Sequence, residues 1–280
     1  MNTEERHKYE YEVDTSSETA AANVVRMVGQ NKRALELGCG PGSITKILAE
    51  RGGCRVTGIE LDRDAIERVK PYCEVVMQAD LNSDQWPLLL TNSGKFDVVL
   101  AADVLEHLYD PWSALKRMVA FINESGCLVL SLPHVGHAAI MSCLYNGDFG
   151  YRDWGLLDRT HIRFFGLKNI EDLFAQAALK VIDVKYINAR PEQTEFAESW
   201  ARLSPQTQQV FASTPHANVY QVVVKAVPIS YPGEPRPIAL SAPAASLPPA
   251  SMISRIGSLL SYETKRRIRN RMGAWGIRIH

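Results

Sequence analysis

The sequence has few cysteines, no net charge and no long apolar run. Its five cysteines in 280 residues form no C-x-x-C pair, and an odd, unpaired set argues against a disulfide framework. Basic and acidic residues number 31 each, so no overall charge attracts nucleic acid. No apolar signal segment follows Met1, and no uncharged apolar run reaches the roughly 18 residues of a membrane span. We therefore predict a cytoplasmic protein that does not cross a membrane and has no nucleic-acid partner.

Charge is nevertheless unevenly distributed, because residues 251–280 contain seven basic side chains and one acid. Seven of the 23 residues in 228–250 are proline, which predicts a semi-rigid linker. Apolar residues in 251–280 recur near helical spacing between arginines, a pattern typical of a basic amphipathic helix. The tail is predicted to make peripheral contact with the inner face of a membrane or with a protein. A solvated helix or a disordered tail fits the same pattern.

A glycine-rich turn organises the rest of the chain. The apolar strand at 34–37 runs into ELGCGPG (36–42) and then into a helix over 43–53, with Ser43 as the predicted N-cap. Glycines at 38, 40 and 42 let the backbone bend tightly and let a ligand approach its N–H groups. A plain structural corner would use the same glycines, so the neighbouring motifs decide between the two interpretations.

Acidic residues around this turn indicate which ligand it binds. A second strand over 54–62 carries Glu60 and Leu61 at its end, 22 and 23 positions after Gly38, a spacing that places a carboxylate on ribose hydroxyls. The loop is G-x-G-x-G rather than the pyrophosphate-binding G-x-G-x-x-G, and Glu36 just before it would repel a phosphate. These features favour S-adenosylmethionine, with the predicted cofactor residues Glu36, Gly38, Cys39, Gly40, Gly42, Glu60 and Leu61.

Four motifs in order carry a family resemblance: ELGCGPG, GIELD (58–62), QAD (78–80) and FDVVLAADVLEHLYDP (96–111). Over roughly residues 30–135 the chain resembles class I S-adenosylmethionine-dependent methyltransferases. The resemblance implies an α/β, Rossmann-like, doubly wound seven-stranded sheet of order 3-2-1-4-5-7-6 within a domain over 30–227, and S-adenosylhomocysteine as product. It also implies that Asp80 accepts from the adenine amine and that the Leu81 N–H donates to the ring, although Asp80 could be a plain turn residue.

The strand over 96–102 is almost continuously apolar, as expected of a buried central parallel strand. Its end lies beside the glycine loop in a doubly wound sheet. At that position the carbonyl of Ala102 is predicted to accept a hydrogen bond from the cofactor's ammonium group.

The N-terminal cap segment 1–29 could bring Tyr11 to the methyl-transfer site. Alternatively, Tyr11 is a surface residue that anchors the N-terminus.

Residues 133–165 exceed what the minimal fold needs, and we expect a long loop without regular structure over the methyl end of the cofactor. Within this insertion, LLDRTHIRFF (156–165) resembles methyltransferases of bacterial polysaccharide and glycan systems, which implies a sugar hydroxyl as acceptor. His134, Arg159 and Arg163 are the predicted acceptor-binding residues, the arginines for a phosphate or uronate. An Asp158–Arg159 ion pair within the loop is the alternative.

A hydroxyl acceptor needs a base, and an imidazole with a pKa near 6.5 can take its proton. His161 is the predicted catalytic base, although its ring could instead satisfy loop backbone groups, while His107 is interpreted as structural or cofactor-lining. The histidines lack the spacing of a zinc site, so no metal is predicted.

Two other functions stay open: N-methylation of an amino sugar or small amine, and a non-catalytic S-adenosylmethionine-binding module of a glycan-assembly complex.

Overall fold

The computed structural model describes residues 9–238. The predicted basic tail over 251–280 and the linker beyond Ile238 lie outside the described residues. Within 9–238, no helix combines the length and apolar character that crossing a membrane requires.

The described chain alternates helices and strands. In chain order the elements are α1 (Ala20–Val28), β1 (Arg33–Leu37), α2 (Ser43–Glu50), β2 (Arg55–Glu60), α3 (Arg63–Val69), β3 (Val75–Gln78), β4 (Phe96–Ala102), α4 (Pro111–Val119), β5 (Ile122–Pro133), α5 (Ala138–Tyr145), α6 (Leu167–Gln176), β6 (Leu179–Asn188), α7 (Ala197–Ala201), α8 (Pro205–Ala212) and β7 (Val219–Pro228). Short 3-10 turns lie at Lys70–Tyr72, Trp86–Leu90, Leu105–His107 and Pro191–Gln193.

All seven strands form one sheet of order β3-β2-β1-β4-β5-β7-β6, which confirms the predicted fold. The first five strands are parallel, and β7 runs antiparallel between β5 and β6. Successive residues of β4 point to opposite faces. Val99 joins the core layer beneath α4 and α6, and Leu100 joins the layer beneath α1 and α2. This two-sided burial explains why β4 is apolar from Val98 to Ala102.

Some local predictions differ from the structure. The N-cap of α2 is Gly42, which has no side chain, and not Ser43 as predicted. The Ser43 hydroxyl instead accepts the N–H of Tyr11 at 3.0 Å. Between β6 and α8, a 3-10 turn at Pro191–Gln193 precedes the short α7.

The start of the predicted linker packs on the domain. The hydroxyl of Tyr186 donates to the carbonyl of Ile238 at 2.7 Å, and the N–H of Arg236 donates to the carbonyl of Val181 at 2.8 Å. Ile238 is fully buried. Residues 229–238 therefore belong to the same folded body as the sheet.

The insertion over 133–165 contains regular structure, contrary to the predicted plain loop. His137 caps α5 by accepting the N–H of Ala139 at 3.1 Å on its Nδ1, and its Nε2 lies 2.9 Å from the carbonyl of Ala189. Ala139 and Cys143 of this helix pack with Leu157 and Phe196 in a separate small core. The insertion is thus folded, and its apolar residues form a small hydrophobic core separate from the main core of the domain.

Candidate active site

The glycine loop after β1 forms one wall of a cleft at the carboxyl edge of the sheet. Gly38 and Gly40 both have left-handed backbones, with φ of 69° and 53°. A Cβ on Gly38 would lie 2.7 Å from Val104, so glycine lets the segment after β4 approach. A Cβ on Gly40 would meet no atom within 4 Å. Open space beside the half-buried, left-handed backbone of Gly40 is compatible with close approach of a cofactor.

Two further loop residues complete this wall. Gly42 also has a left-handed backbone and leads directly into α2. Cys39 is buried, and its thiol lies beside that of Cys73 over Gly58 of β2. Cys39 therefore supports the loop from within the protein.

Glu60 ends β2 with its carboxylate facing the glycine loop. The N–H of Gly40 donates to one carboxylate oxygen at 2.7 Å, and the N–H groups of Leu61 and Asp62 donate to the other at 2.7 and 3.0 Å. Three of the four acceptor positions of the carboxylate are therefore occupied, and the fourth lies on the oxygen that accepts from Gly40. The side chain of Leu61 is 58% exposed, so its backbone provides the ordering contact. This arrangement presents one fixed carboxylate acceptor beside the glycine loop, which fits a hydrogen bond from a ribose hydroxyl.

Glu36 lies inside β1 and is almost fully buried. Burial raises its pKa to about 7, against the lowering effect of the Thr45 hydroxyl, which donates to the carboxylate at 2.7 Å; the charge of Glu60 adds to the increase. A carboxyl group that ionises near neutral pH beside the loop fits the ammonium end of an amino-acid ligand.

Asp80 follows β3 at the same edge, since the N–H of Ala79 donates to the carbonyl of Glu60 at 2.9 Å. One carboxylate oxygen of Asp80 accepts the N–H of Asn82 at 2.8 Å, which is the turn that the alternative interpretation predicted. A carboxylate can accept several hydrogen bonds, so this turn is compatible with an adenine contact. Leu81 is buried in the main core directly after it.

The end of β4 carries an acidic residue that the sequence analysis did not single out. Asp103 follows Ala102 and has a left-handed backbone with φ of 55°. Its carboxylate accepts from the Ser131 hydroxyl at 2.7 Å and from the side-chain amide of Gln221. The side chain is exposed to the cleft, yet partial desolvation raises its pKa; the two hydrogen bonds and His107 act in the opposite direction. Side chains of β5 and β7 thus hold the Asp103 carboxylate, while its backbone is in the left-handed region. Residues with such backbone conformations are common at functional sites.

Tyr11 reaches the same cleft from the N-terminal segment. Although 47% of the residue is exposed, desolvation of its hydroxyl raises the pKa, and the charges of Asp103 and Glu36 raise it further. The backbone of Tyr11 is held at the start of α2, where its N–H donates to the Ser43 hydroxyl at 3.0 Å.

The DRTHIR segment of the insertion docks on the 3-10 turn after β4. The N–H groups of Ile162 and Arg163 donate to the Glu106 carbonyl at 2.9 and 3.0 Å. His161 is 9% exposed; its Nδ1 lies 3.2 Å from the carbonyl of Leu156, and its Nε2 lies 4.0 Å from Oε1 of Glu106. Both ring nitrogens of the predicted base therefore face protein groups in this conformation.

His107 is half-buried and contacts His161 edge to face, with ring centroids 4.7 Å apart. Its Nδ1 lies 3.1 Å from the carbonyl of Thr160. Because His107 also acts electrostatically on Asp103, its ring is placed next to the cleft. His107 is thus the more exposed histidine of the pair.

The predicted acceptor-binding residues lie apart from one another. Arg159 forms an exposed ion pair with Asp153 at 2.7 Å rather than with its neighbour Asp158. Arg163 donates to the Tyr109 carbonyl at 3.1 Å, and its guanidinium lies 5.8 Å from the ring centre of Trp112.

Arg163 and Trp112 line a surface pocket of about 270 Å³, together with Phe164, Phe165, Asn169, Asp172 and Gln176. His134 is buried, and burial together with His137 and His216 lowers its pKa to about 4, so it is neutral at pH 7.

A doubly wound sheet of this order, with a glycine cradle after β1 and carboxylates after β2 and β3, defines a class I S-adenosylmethionine-dependent methyltransferase domain. The chain belongs to the methyltransferase domain family, whose model matches residues 7–184. S-adenosylmethionine is accordingly the cofactor and S-adenosylhomocysteine the product. Glu36, Gly40 and Glu60 are the residues that would hold it.

Solved structures share the fold. A Bacillus halodurans methyltransferase is 13% identical and superposes with a TM-score of 0.51, covering 74% of this chain and 97% of its own. The cyclase SpnF is 15% identical with a TM-score of 0.50, covering 78% and 86%. At such identity the likeness establishes the fold alone.

Curated relatives are more similar in sequence. A ubiquinone biosynthesis O-methyltransferase of Coxiella burnetii (strain RSA 493 / Nine Mile phase I) is 23% identical over 169 residues, 60% of this chain and 71% of the relative. One of Psychrobacter arcticus is 30% identical over 135 residues, 46% and 51% of the two chains. Neither name refers to a glycan, in contrast to the subgroup suggested by the LLDRTHIRFF segment.

Proposed function

We propose that this methyltransferase transfers the methyl group to a hydroxyl oxygen. The observation that carries the proposal is the pair of histidine rings, His107 on His161, beside Asp103 at the end of β4. A hydroxyl becomes a useful nucleophile only when a base removes its proton as the new bond forms. The names of the relatives, which are O-methyltransferases, support the same reaction type.

The chain's own residues then have separate tasks. The glycine loop, Glu36 and Glu60 hold the cofactor, which supplies the methyl group. S-adenosylmethionine would supply a methyl group that leaves its sulfur, the sulfur keeping the bonding electron pair, and His107 would take the hydroxyl proton of the acceptor oxygen that receives the methyl group. His161, the base predicted from the sequence, supports His107 from behind in this proposal. Such a reaction depends chiefly on positioning.

For the acceptor we propose a sugar hydroxyl of a cell-surface glycan or its precursor. The LLDRTHIRFF segment supports this class. Arg159 and Arg163 would meet an anionic group of the acceptor. The relatives favour a second candidate, an acceptor in ubiquinone biosynthesis. Peripheral membrane or protein contact through residues 251–280 would suit either, and this part of the proposal concerns residues outside the described range.

The test uses the full chain with S-adenosylmethionine and a panel of acceptors: sugar hydroxyls in glycan extracts, hydroxyls on aromatic rings, and amino sugars. Release of S-adenosylhomocysteine is measured, and the product is analysed by mass spectrometry. O-methyl products support the proposal. N-methyl products, or cofactor binding without turnover on any acceptor, would refute it. His107→Gln should keep affinity for S-adenosylhomocysteine and lose at least tenfold in kcat.

A further inference from the structure

Two cysteines that are distant in the sequence meet beside the glycine loop. Cys39 lies between Gly38 and Gly40 of that loop, and Cys73 lies shortly before β3. A Cβ built on Gly58 of β2 would lie 3.0 Å from the sulfur of Cys39 and 3.2 Å from that of Cys73. The two sulfur atoms therefore share the space that this glycine leaves open.

The glycine at position 58 is itself informative. Glycine in the interior of a strand weakens the strand and often marks a close approach of other groups. The backbone of Gly58 is not in the left-handed region, so its conformation does not require glycine. What the position provides is the missing side chain, because a methyl group there would press against both sulfurs. The strand is thus open where the two thiols meet.

Both cysteines are free thiols, and they differ in exposure. Cys39 is buried and Cys73 is half-buried, so a small reagent reaches Cys73 first. A hydrogen bond with Cys73 and burial raise the pKa of the Cys39 thiol, and the charges of Glu36, Cys73 and Glu60 raise it further. Cys39 therefore keeps its proton while Cys73 is unmodified. The part of this effect that comes from Cys73 ends once the Cys73 sulfur is bonded to another sulfur.

We propose that Cys39 and Cys73 form a reversible modification site that reacts with a low-molecular-weight disulfide such as oxidised glutathione, and that the disulfide bond formed between them weakens binding of S-adenosylmethionine. Reversible disulfides in otherwise reduced proteins are usually catalytic or redox-sensing. The inference concerns cofactor binding and goes beyond the proposed methyl acceptor.

The reaction is an exchange in two steps. The Cys73 thiolate attacks one sulfur of oxidised glutathione, and one glutathione leaves with the electron pair of the broken bond and takes up a proton. The Cys39 thiolate then attacks the Cys73 sulfur of the mixed disulfide, and the second glutathione leaves in the same way. The two protein thiols lose two electrons and two protons, and the two glutathione sulfurs gain them.

The new bond would disturb the residues that hold the cofactor. A disulfide bond is about 2.05 Å long, shorter than any contact between unbonded sulfur atoms, so at least one cysteine must move. The backbone on both sides of Cys39 is fixed by hydrogen bonds: the N–H of Gly38 donates to the carbonyl of Ile59 at 2.8 Å, and the N–H of Gly40 donates to the carboxylate of Glu60 at 2.7 Å. A shift of Cys39 therefore strains the contact between the glycine loop and Glu60.

The test treats the full chain with oxidised glutathione and measures binding of S-adenosylhomocysteine by calorimetry. Peptide mass spectrometry under non-reducing conditions should find Cys39 and Cys73 in one cross-linked pair of peptides. We expect at least tenfold weaker binding after oxidation and full recovery after dithiothreitol. Cys73→Ser should bind as the reduced wild type does and should keep that affinity after the same treatment. Cys73→Ala replaces it if the serine variant does not fold.

The matched control is Cys54→Ser. Cys54 is also a buried cysteine next to β2, but its sulfur lies 3.5 Å from the carbonyl of Gly29 and 3.8 Å from that of Gly52. This variant keeps the pair of Cys39 and Cys73 intact. It should therefore lose and regain affinity as the wild type does.

A second measurement uses the reciprocity between ligand and modification. If the disulfide weakens binding of S-adenosylhomocysteine tenfold, the bound ligand must disfavour the disulfide by the same factor. The protein is equilibrated in mixtures of oxidised and reduced glutathione, with and without saturating S-adenosylhomocysteine. The ratio of oxidised glutathione to the square of reduced glutathione at half-oxidation should rise at least tenfold with the ligand.

Three results would overturn the inference. The first is a peptide map with no bond between Cys39 and Cys73, including one with mixed glutathione disulfides alone. The second is a bond that forms and leaves the affinity for S-adenosylhomocysteine unchanged. The third is an equal loss of affinity in Cys73→Ser, which would place the effect at another residue. None of these measurements needs an acceptor, so they stand apart from the test of the proposed function.

Discussion

Replacing Gly40 by alanine tests whether the glycine loop is the cofactor cradle. The backbone at Gly40 has φ of 53°, a region that costs an L-residue about 1–2 kcal/mol. Its added Cβ would touch no protein atom within 4 Å and would project into open space. The variant should therefore fold, with a melting temperature lowered by about 2–8 °C for a domain of this size.

The matched control is Gly147→Ala, after α5. Gly147 has φ of 74° and, like Gly40, would place a Cβ in open space. Both variants carry similar backbone strain, so they should lose similar stability. Only Gly40→Ala introduces a methyl group where the cofactor would approach the backbone, and we expect at least tenfold weaker binding of S-adenosylhomocysteine, about 1.4 kcal/mol.

The assay is calorimetric titration of S-adenosylhomocysteine into wild type and both variants, with thermal unfolding measured on the same samples. Equal affinities of Gly40→Ala and wild type would refute the cradle, since the methyl group would then lie outside the ligand's space. Weaker binding by both variants would show instead that affinity follows stability.

Three further predictions concern charged groups. Glu60→Ala should weaken S-adenosylhomocysteine binding by about 1–3 kcal/mol through lost charge-assisted hydrogen bonds, and unchanged affinity by calorimetry would refute its ribose role. Because the pKa of Glu36 is raised to about 7, wild type should lose roughly 3 kcal/mol of unfolding free energy between about pH 4.5 and about pH 7 that Glu36→Gln does not lose; equal slopes in urea unfolding would contradict this. Arg159→Ala should raise the acceptor KM while Asp153→Ala, which removes its ion-pair partner, should not; equal effects would mean that only the ion pair matters.

The cofactor half of the site was accessible from the sequence because its residues are tied to strand ends by short spacings. Gly40 and Glu60 lie 20 positions apart in one βαβ unit, and parallel pairing of β1 and β2 brings their ends to the same edge. The strand order expected from the family resemblance is confirmed, and the mostly apolar β4 is buried on both faces as its sequence predicted.

The acceptor half was less accessible because its contacts join distant parts of the chain. The side-chain amide of Gln221 donates to the carboxylate of Asp103, 118 positions away in the sequence. The ring of His107 contacts the carbonyl of Thr160, 53 positions away. The pattern DRTHIR indicated polar chemistry but could not show that His161 turns inward, since burial of a ring depends on what packs over it. Helix α5 was missed because its residues are apolar on most sides, without the one-sided pattern of a surface helix.

The sequence by itself determined the glycine turn and the class of cofactor, because steric limits on glycine and the spacing of nearby carboxylates act over short stretches of chain. The sheet order was expected from the resemblance to class I methyltransferases. Only the tertiary structure decided which distant side chains meet: Asp103 with Gln221, and the ring of His107 with that of His161. These contacts form only when distant segments of the chain pack together. The pKa values of the groups that become buried then depend on the loss of water around them.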